Sequence, residues 1–182
     1  MSSLPLSYPL MPRLLLSATL LTSCLLAACT PPSAPAPAVR PVRQDSDIIA
    51  AIRMAGDKEK SVISVNPLRD PGVAALQDVA VNDERSGRYD EAIAKLDQAL
   101  KISPDSPDLL QDRAELAIRT QDYAGAEKLA HRSWELGPRL GPLCARNWQT
   151  IVEMRLHAND DAGATSARKW VQQCHVEGIP RY

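Results

Sequence analysis

The sequence predicts an all-α fold, a short solenoid of about three helix–turn–helix units behind an apolar leader and a proline-rich tether. Two observations carry the prediction. From residue 73 the chain repeats itself at a spacing of 34 residues: Tyr89 matches Tyr123, Ala92 matches Ala126, Leu100 matches Trp134, Ile102 matches Leu136 and Pro104 matches Pro138. Within each repeat, apolar residues return at helical spacing. Ala92, Leu96, Ala99 and Leu100 share one face, and Ala126, Leu129, Ala130 and Ser133 share another.

The leader comes first. Leu14 to Ala28 is uncharged and apolar, with Arg13 just before it. At fifteen residues it is short for a membrane span, and its basic start, apolar run and small-residue end describe a secretory signal over residues 1–28. The boundary Leu26-Ala27-Ala28-Cys29 resembles the lipobox of bacterial lipoproteins. That resemblance implies lipidation of the Cys29 thiol, cleavage after Ala28 and acylation of the new amine, and hence a membrane partner reached through a lipid anchor. Met11 offers an alternative start with a more compact basic end. Thr30, rather than Asp, follows the cysteine, so the resemblance points to the periplasmic face of the outer membrane.

Residues 29–44 hold the cysteine and a linker. Thr30 to Arg43 carries five prolines and no apolar periodicity. Such a segment is extended and semi-rigid, rising about 3.1 Å per residue and reaching roughly 40 Å. Residues 45–72 follow. Asp45–Gly56 reads as a short helix ended by its glycine. The β-branched, alternating Ser61–Leu68 reads as an extended segment lying along the helical stack.

Residues 73–182 form the repeat domain, with units at about 73–106, 107–140 and 141–178. The matched positions, together with Leu76 and Leu110 and the small pair Ala80 and Ala114, resemble the tetratricopeptide repeat, two antiparallel helices per unit. Pro104 and Pro138 stop the second helices. The third unit departs from the pattern. Pro142 opens a helix, Asp160 or Asp161 caps the next, and Ala164 follows Ala126 by 38 residues, which adds one helical turn. Trp148 stands where the first two units place Ala80 and Ala114, so its helix crossing must differ. A short stack needs such a closing unit.

Charge and composition narrow the function. Lys+Arg number 21 and Asp+Glu 22; with Arg13 in the leader, the mature part carries 20 against 22. No basic excess exists to attract nucleic acid. No CxxC or HExxH occurs, so neither a metal nor another cofactor is expected, and no phosphate-loop spacing points to a small-molecule substrate. Asp160 and Asp161 sit where a helix cap is wanted, and Trp134, Trp148 and Trp170 lie on periodic faces as core residues first and peptide contacts second.

Cys144 and Cys174 each stand fifteen residues from Asn159, which begins the turn between the third pair of helices. Equal arms of an antiparallel hairpin put them level, roughly 22 Å from the turn. In an oxidising periplasm they are expected to form a disulfide. Cys174 takes the register of Ile102 and Leu136, and Cys144 that of Leu76 and Leu110, all apolar. The alternative is a periplasmic thiol-dependent enzyme or redox protein using either cysteine with His131, His157 or His175.

In the fold that the resemblance implies, first helices line a concave face. The candidate partner-binding groove is Gln77, Val81, Glu84 and Arg85, then Gln111, Glu115, Ile118 and Arg119, then Gln149 and Glu153. The lysine and asparagine clamp by which some members hold a C-terminal carboxylate is absent, since Ala74, Gln77 and Val81 stand there. The resemblance implies a non-catalytic adaptor for a periplasmic or envelope protein, in cell-envelope assembly or maintenance.

Replacing Cys29 tests the anchor. Cys29→Ala leaves an uncleaved precursor and abolishes acyl labelling, followed by gel mobility and metabolic labelling with palmitate; unlabelled wild-type protein released by a salt wash contradicts it.

Overall fold

The computed structural model describes residues 43–59 and 70–175. Cys29, the proline tract and the segment Ser61–Leu68 lie outside them. Seven α-helices follow in order: α1 Asp45–Lys58, α2 Pro71–Arg85, α3 Tyr89–Ile102, α4 Pro107–Arg119, α5 Tyr123–Leu136, α6 Pro142–His157 and α7 Asp161–Gln173. No strand occurs among the described residues. The fold is an all-helical stack of antiparallel pairs, α2 with α3, α4 with α5 and α6 with α7, each pair packed on the next.

The sequence sets each pair up in the same way. All three first helices open on a proline, Pro71, Pro107 and Pro142, at the start of the helix, where the missing N–H would have no partner anyway. All three end on a residue with left-handed backbone: Gly87 (φ 75°), Gln121 (φ 63°) and Asn159 (φ 59°). Beyond it, the N–H groups of Arg88, Asp122 and Asp160 donate to the carbonyls of Asp83, Ala117 and Arg155 at 2.9, 2.8 and 2.8 Å. That repeated closure satisfies the carbonyls left open at a helix end and turns the chain back on itself. Asp122 and Asp160 then cap the second helices, accepting from Gly125 N and Gly163 N.

Small residues permit the close crossings. Ala92, Ala99, Ala114, Ala126 and Ala130 are fully buried, and Ala80 nearly so. Val73 and Leu96 of the first pair pack with Leu109 and Leu116 of α4 in one core. The third pair is built differently, as its spacing predicts. α6 has 16 residues against 13 in α4, and Cys144 and Cys174 are joined by a disulfide with their Cα atoms 5.6 Å apart. Closing a loop of 30 residues in this way contributes roughly 2–4 kcal/mol.

Two local expectations differ from the structure. Cys174 is fully buried, but Ile102 and Leu136, which share its register, are 52% and 45% exposed. In the first two units this position ends a helix at the surface. In the third, the bridge and a 2.7 Å hydrogen bond from Gly141 N to the Cys174 carbonyl pull the helix end inward. The first helix also does not stop at Gly56 but continues to Lys58. Gly56 is buried against α6, where a Cβ would lie 2.7 Å from Arg146 Cγ and 3.1 Å from the Pro142 carbonyl. The glycine serves close approach between helices rather than helix termination.

Ala126 sits at a crossing of α5 with no exposed surface. Ala126→Leu overpacks it and costs about 1–3 kcal/mol, read as a lowered Tm; an unchanged Tm contradicts the crossing described.

Candidate functional site

The concave face of the stack is not open. α1 lies across it, against α6 and α4. Its apolar stripe, Ile48, Ile49 and Ile52, is 3%, 1% and 0% exposed and packs with Ala117, Ile118, Ala126 and Met154. A lone helix with three isoleucines on one face must bury them somewhere, and this apolar seat receives them.

Charge fixes the helix in place. Glu115, 1% exposed, lies at the centre of the face. Its carboxylate accepts from Arg53 Nε of α1 at 2.7 Å, and from Arg146 Nη2 and Nε of α6 at 2.6 and 3.0 Å. Gln111 Nε2 adds a fourth bond at 3.1 Å and donates also to Thr150 Oγ1 at 2.9 Å. Arg146 continues to Asp112 Oδ1 at 2.9 Å, and Gln77 Nε2 donates to Asp112 Oδ2 at 2.6 Å. Arg53 also reaches both oxygens of Glu84, at 2.8 and 2.9 Å. At the other end of α1, Arg43 pairs with Glu153, which Gln149 Nε2 contacts at 2.8 Å, and Tyr123 Oη donates to Asp45 at 2.9 Å.

These contacts set the protonation of the site. Burial pushes the Glu115 carboxyl up, but the guanidiniums of Arg146 and Arg53 outweigh it and hold the group below its ordinary 4.5. Asp112 moves the other way: burial raises it above 3.8, with the Glu115 charge adding to the rise, and Arg146 only partly opposes them. Burial lowers the Arg146 guanidinium, yet Glu115 and Asp112 more than reverse this and hold it protonated.

The sequence-predicted groove residues therefore divide. Gln111, Glu115 and Glu153 are buried beneath α1, and Ile118 belongs to its apolar seat. Gln77 and Gln149 brace neighbouring carboxylates. Arg119 lies 3.7 Å from Glu84. Val81, Glu84 and Arg85 line an open space of about 480 Å³ beside α1, floored by Ala80, Leu96 and Leu116 and walled by Arg53, Asp112 and Arg146. Sequence reasoning missed Arg43, Arg53, Asp112 and Arg146. The signal for the first two was present: arginines flanking the stripe Ile48, Ile49 and Ile52, on a helix with no repeat partner.

A second feature lies at the closing end. Trp134, Trp148 and Trp170 form one cluster, with Trp148 stacked on Trp170 at 5.1 Å and Trp134 edge-on to Trp148 at 5.0 Å. Arg139 lies 3.8 Å over the Trp134 ring. With Leu140, Gln173 and Cys144 these residues line a cleft of about 280 Å³. Cys144 and Cys174 are both buried. His131 pairs with Glu135 at 3.2 Å, His175 with Glu59 at 2.8 Å, and His157 packs on Tyr123 with ring centres 3.8 Å apart. Among the described residues no three His, Cys, Asp or Glu side chains gather as metal ligands.

The profile of the tetratricopeptide repeat family matches residues 85–139. The globular C-terminal domain of LpoP from P. aeruginosa is similar to the chain at 30% identity and a TM-score of 0.54, over 58% of this chain and 99% of that one. The first tetratricopeptide domain of Spaghetti (RPAP3), solved with the HSP90 peptide SRMEEVD, is similar at 19% identity and a TM-score of 0.53, over 59% of this chain and 84% of that one. No curated protein sequence matches the chain.

The carboxylate at the centre is open to titration. Glu115 is held below its ordinary value, so its contribution to stability is present above pH 4.5 and is lost as pH falls through the lower folded value. Glu115→Gln accordingly lowers Tm at pH 7, and the gap to wild type narrows toward pH 3; a gap independent of pH contradicts the charge assignment.

Proposed function

Because the chain belongs to the tetratricopeptide repeat family, we propose that it is a non-catalytic adaptor, lipid-anchored through Cys29 at the periplasmic face of the outer membrane, which binds a periplasmic protein partner in the assembly or maintenance of the cell envelope. The observation that carries the reading is the repeat stack itself, behind a lipobox-like boundary and a proline-rich tether. Each part has a physical role in it. The acyl chains hold the protein at the bilayer, since more than one chain is needed for firm attachment. The tether spans roughly 40 Å, so the stack works at a distance from the headgroups. The stack presents a rigid face, because each helix pair is locked to its neighbours by buried alanines and closed at one end by a disulfide.

Several features of the site favour binding over catalysis. A thiol enzyme needs a thiolate near a base. Here the two sulfurs of Cys144 and Cys174 are bonded to each other and buried, and the three histidines are engaged by Glu135, Glu59 and Tyr123. The buried carboxylates of the concave face are held by arginines, an arrangement that builds a surface rather than an acid–base pair.

The test is a crosslinking pull-down of the lipidated chain from its own envelope, with Cys29→Ala as the unanchored control. One envelope protein enriched with the anchored chain over the control is the expected result; identical recoveries from both contradict it.

A further inference from the structure

The concave face is covered in part by α1, which meets it through an apolar stripe and two flanking arginines. The stack on its own places four carboxylates there, Glu84, Asp112, Glu115 and Glu153, against two guanidiniums that pair with them, Arg119 and Arg146. The balance arrives from outside the repeats. Arg53 pairs with Glu84 and Glu115, and Arg43 with Glu153. Between the two arginines, Ile48, Ile49 and Ile52 fill the seat made by Ala117, Ile118, Ala126 and Met154. This is how an amphipathic helix docks in a groove, with apolar anchors at helical spacing and charges that fix its register.

Two further observations bear on whether α1 is part of the scaffold or its occupant. Of the three core clusters, the one joining α2, α3 and α4 and the one around α6 and α7 contain no fully buried residue of α1, and only the half-buried Ala55 packs on the second. The stack therefore has cores of its own. Moreover, α1 packs mainly on α4 and α6 and touches α2 through the Arg53–Glu84 pair. The half near α2 remains open over about 480 Å³, with an apolar floor of Ala80, Leu96 and Leu116 and with Val81, Glu84 and Arg85 accessible beside Arg53. A competing helix can start there and advance by exchanging one Arg–Glu84 pair for another.

We infer that α1 is a resident occupant that closes the groove, and that the adaptor's partner enters as a basic amphipathic helix with an arginine at each end of an isoleucine or leucine stripe, displacing α1. The inference rests on the adaptor reading and deepens it by naming the surface and the chemistry of the partner. Covalent attachment gives α1 an effective concentration on the order of mM. A free helix therefore competes poorly with it unless α1 is weakened, because apparent affinity falls with the fraction of open grooves.

The probe is a labelled synthetic peptide of residues 43–59, added to the full chain. Wild type is expected to bind it weakly, and a full-length Ile52→Asp chain, in which α1 is unseated, at least about tenfold more tightly. A peptide carrying Arg53→Glu should lose that binding. Equal binding by wild type and variant, or indifference to Arg53→Glu, overturns the inference. Hydrogen exchange on the wild-type chain gives a second measure that does not depend on the variant folding. Amides of α1 should exchange at least about 100-fold faster than those of α4 and α6. Equal protection makes α1 a fixed part of the scaffold and overturns the inference, while a partner recovered by the pull-down would leave the adaptor reading standing.

Discussion

Glu115 is where three helices are held to one another. It belongs to α4, and its two strongest partners, Arg53 and Arg146, come from α1 and α6. A carboxylate this deeply buried is costly to desolvate, and only several short, well-aimed bonds offset that cost. The cluster consequently adds little net stability compared with an apolar core of equal volume. It supplies register instead. Arg146 can reach Glu115 and Asp112 together only if α6 sits at one height on α4, and its stem then occupies the space left by Gly56 of α1. Removing any one partner leaves a buried charge unmatched, so a helix that takes the place of α1 must bring an arginine of its own to Glu115.

The two ends of the stack solve different problems. The end at α2 and α3 relies on an ordinary apolar core in which Val73 and Leu96 pack on Leu109 and Leu116 of α4. The end at α6 and α7 has no following repeat, and it is closed by larger means: a disulfide, an added helical turn and a cluster of indoles. Trp148 explains the altered crossing. An indole at the position of Ala80 and Ala114 cannot fit between helices that close, and here Trp148 fills the core of the closing end against Trp134 and Trp170. The bridge then sets the spacing that the alanine crossing set elsewhere.

Much of this was legible in the sequence, because it repeats or because it is local. The 34-residue period marks the helix pairs, and equal counts from Asn159 place Cys144 and Cys174 level. Pro142 marked the start of α6, and Pro71 and Pro107 open α2 and α4 in the same way. The seat of α1 was not legible in the same way. Its isoleucine stripe announced a buried face, yet nothing local says which surface receives it, and the answer depends on Arg53 meeting Glu115 across 62 residues. Gly56 misled for a related reason. Near a helix end a glycine reads as a stop, whereas here close contact with Arg146 and Pro142 decides the residue. The burial of Gln111, Glu115 and Glu153 was not legible either, because it depends on α1, an element outside the repeat.

The grouping of the tryptophans also governs how unfolding would be observed. The chain has three, and all of them lie in one cluster around α5, α6 and α7. Intrinsic fluorescence is thus an optical report from a single end of the molecule, near its disulfide. In a linear array, where each unit touches only its neighbours, the far pair can fray while the reporting pair stays intact. A clean sigmoid in the indole signal would describe the clamped end alone, and circular dichroism, which sums over every helix, would be needed to see α2 and α3 melt first.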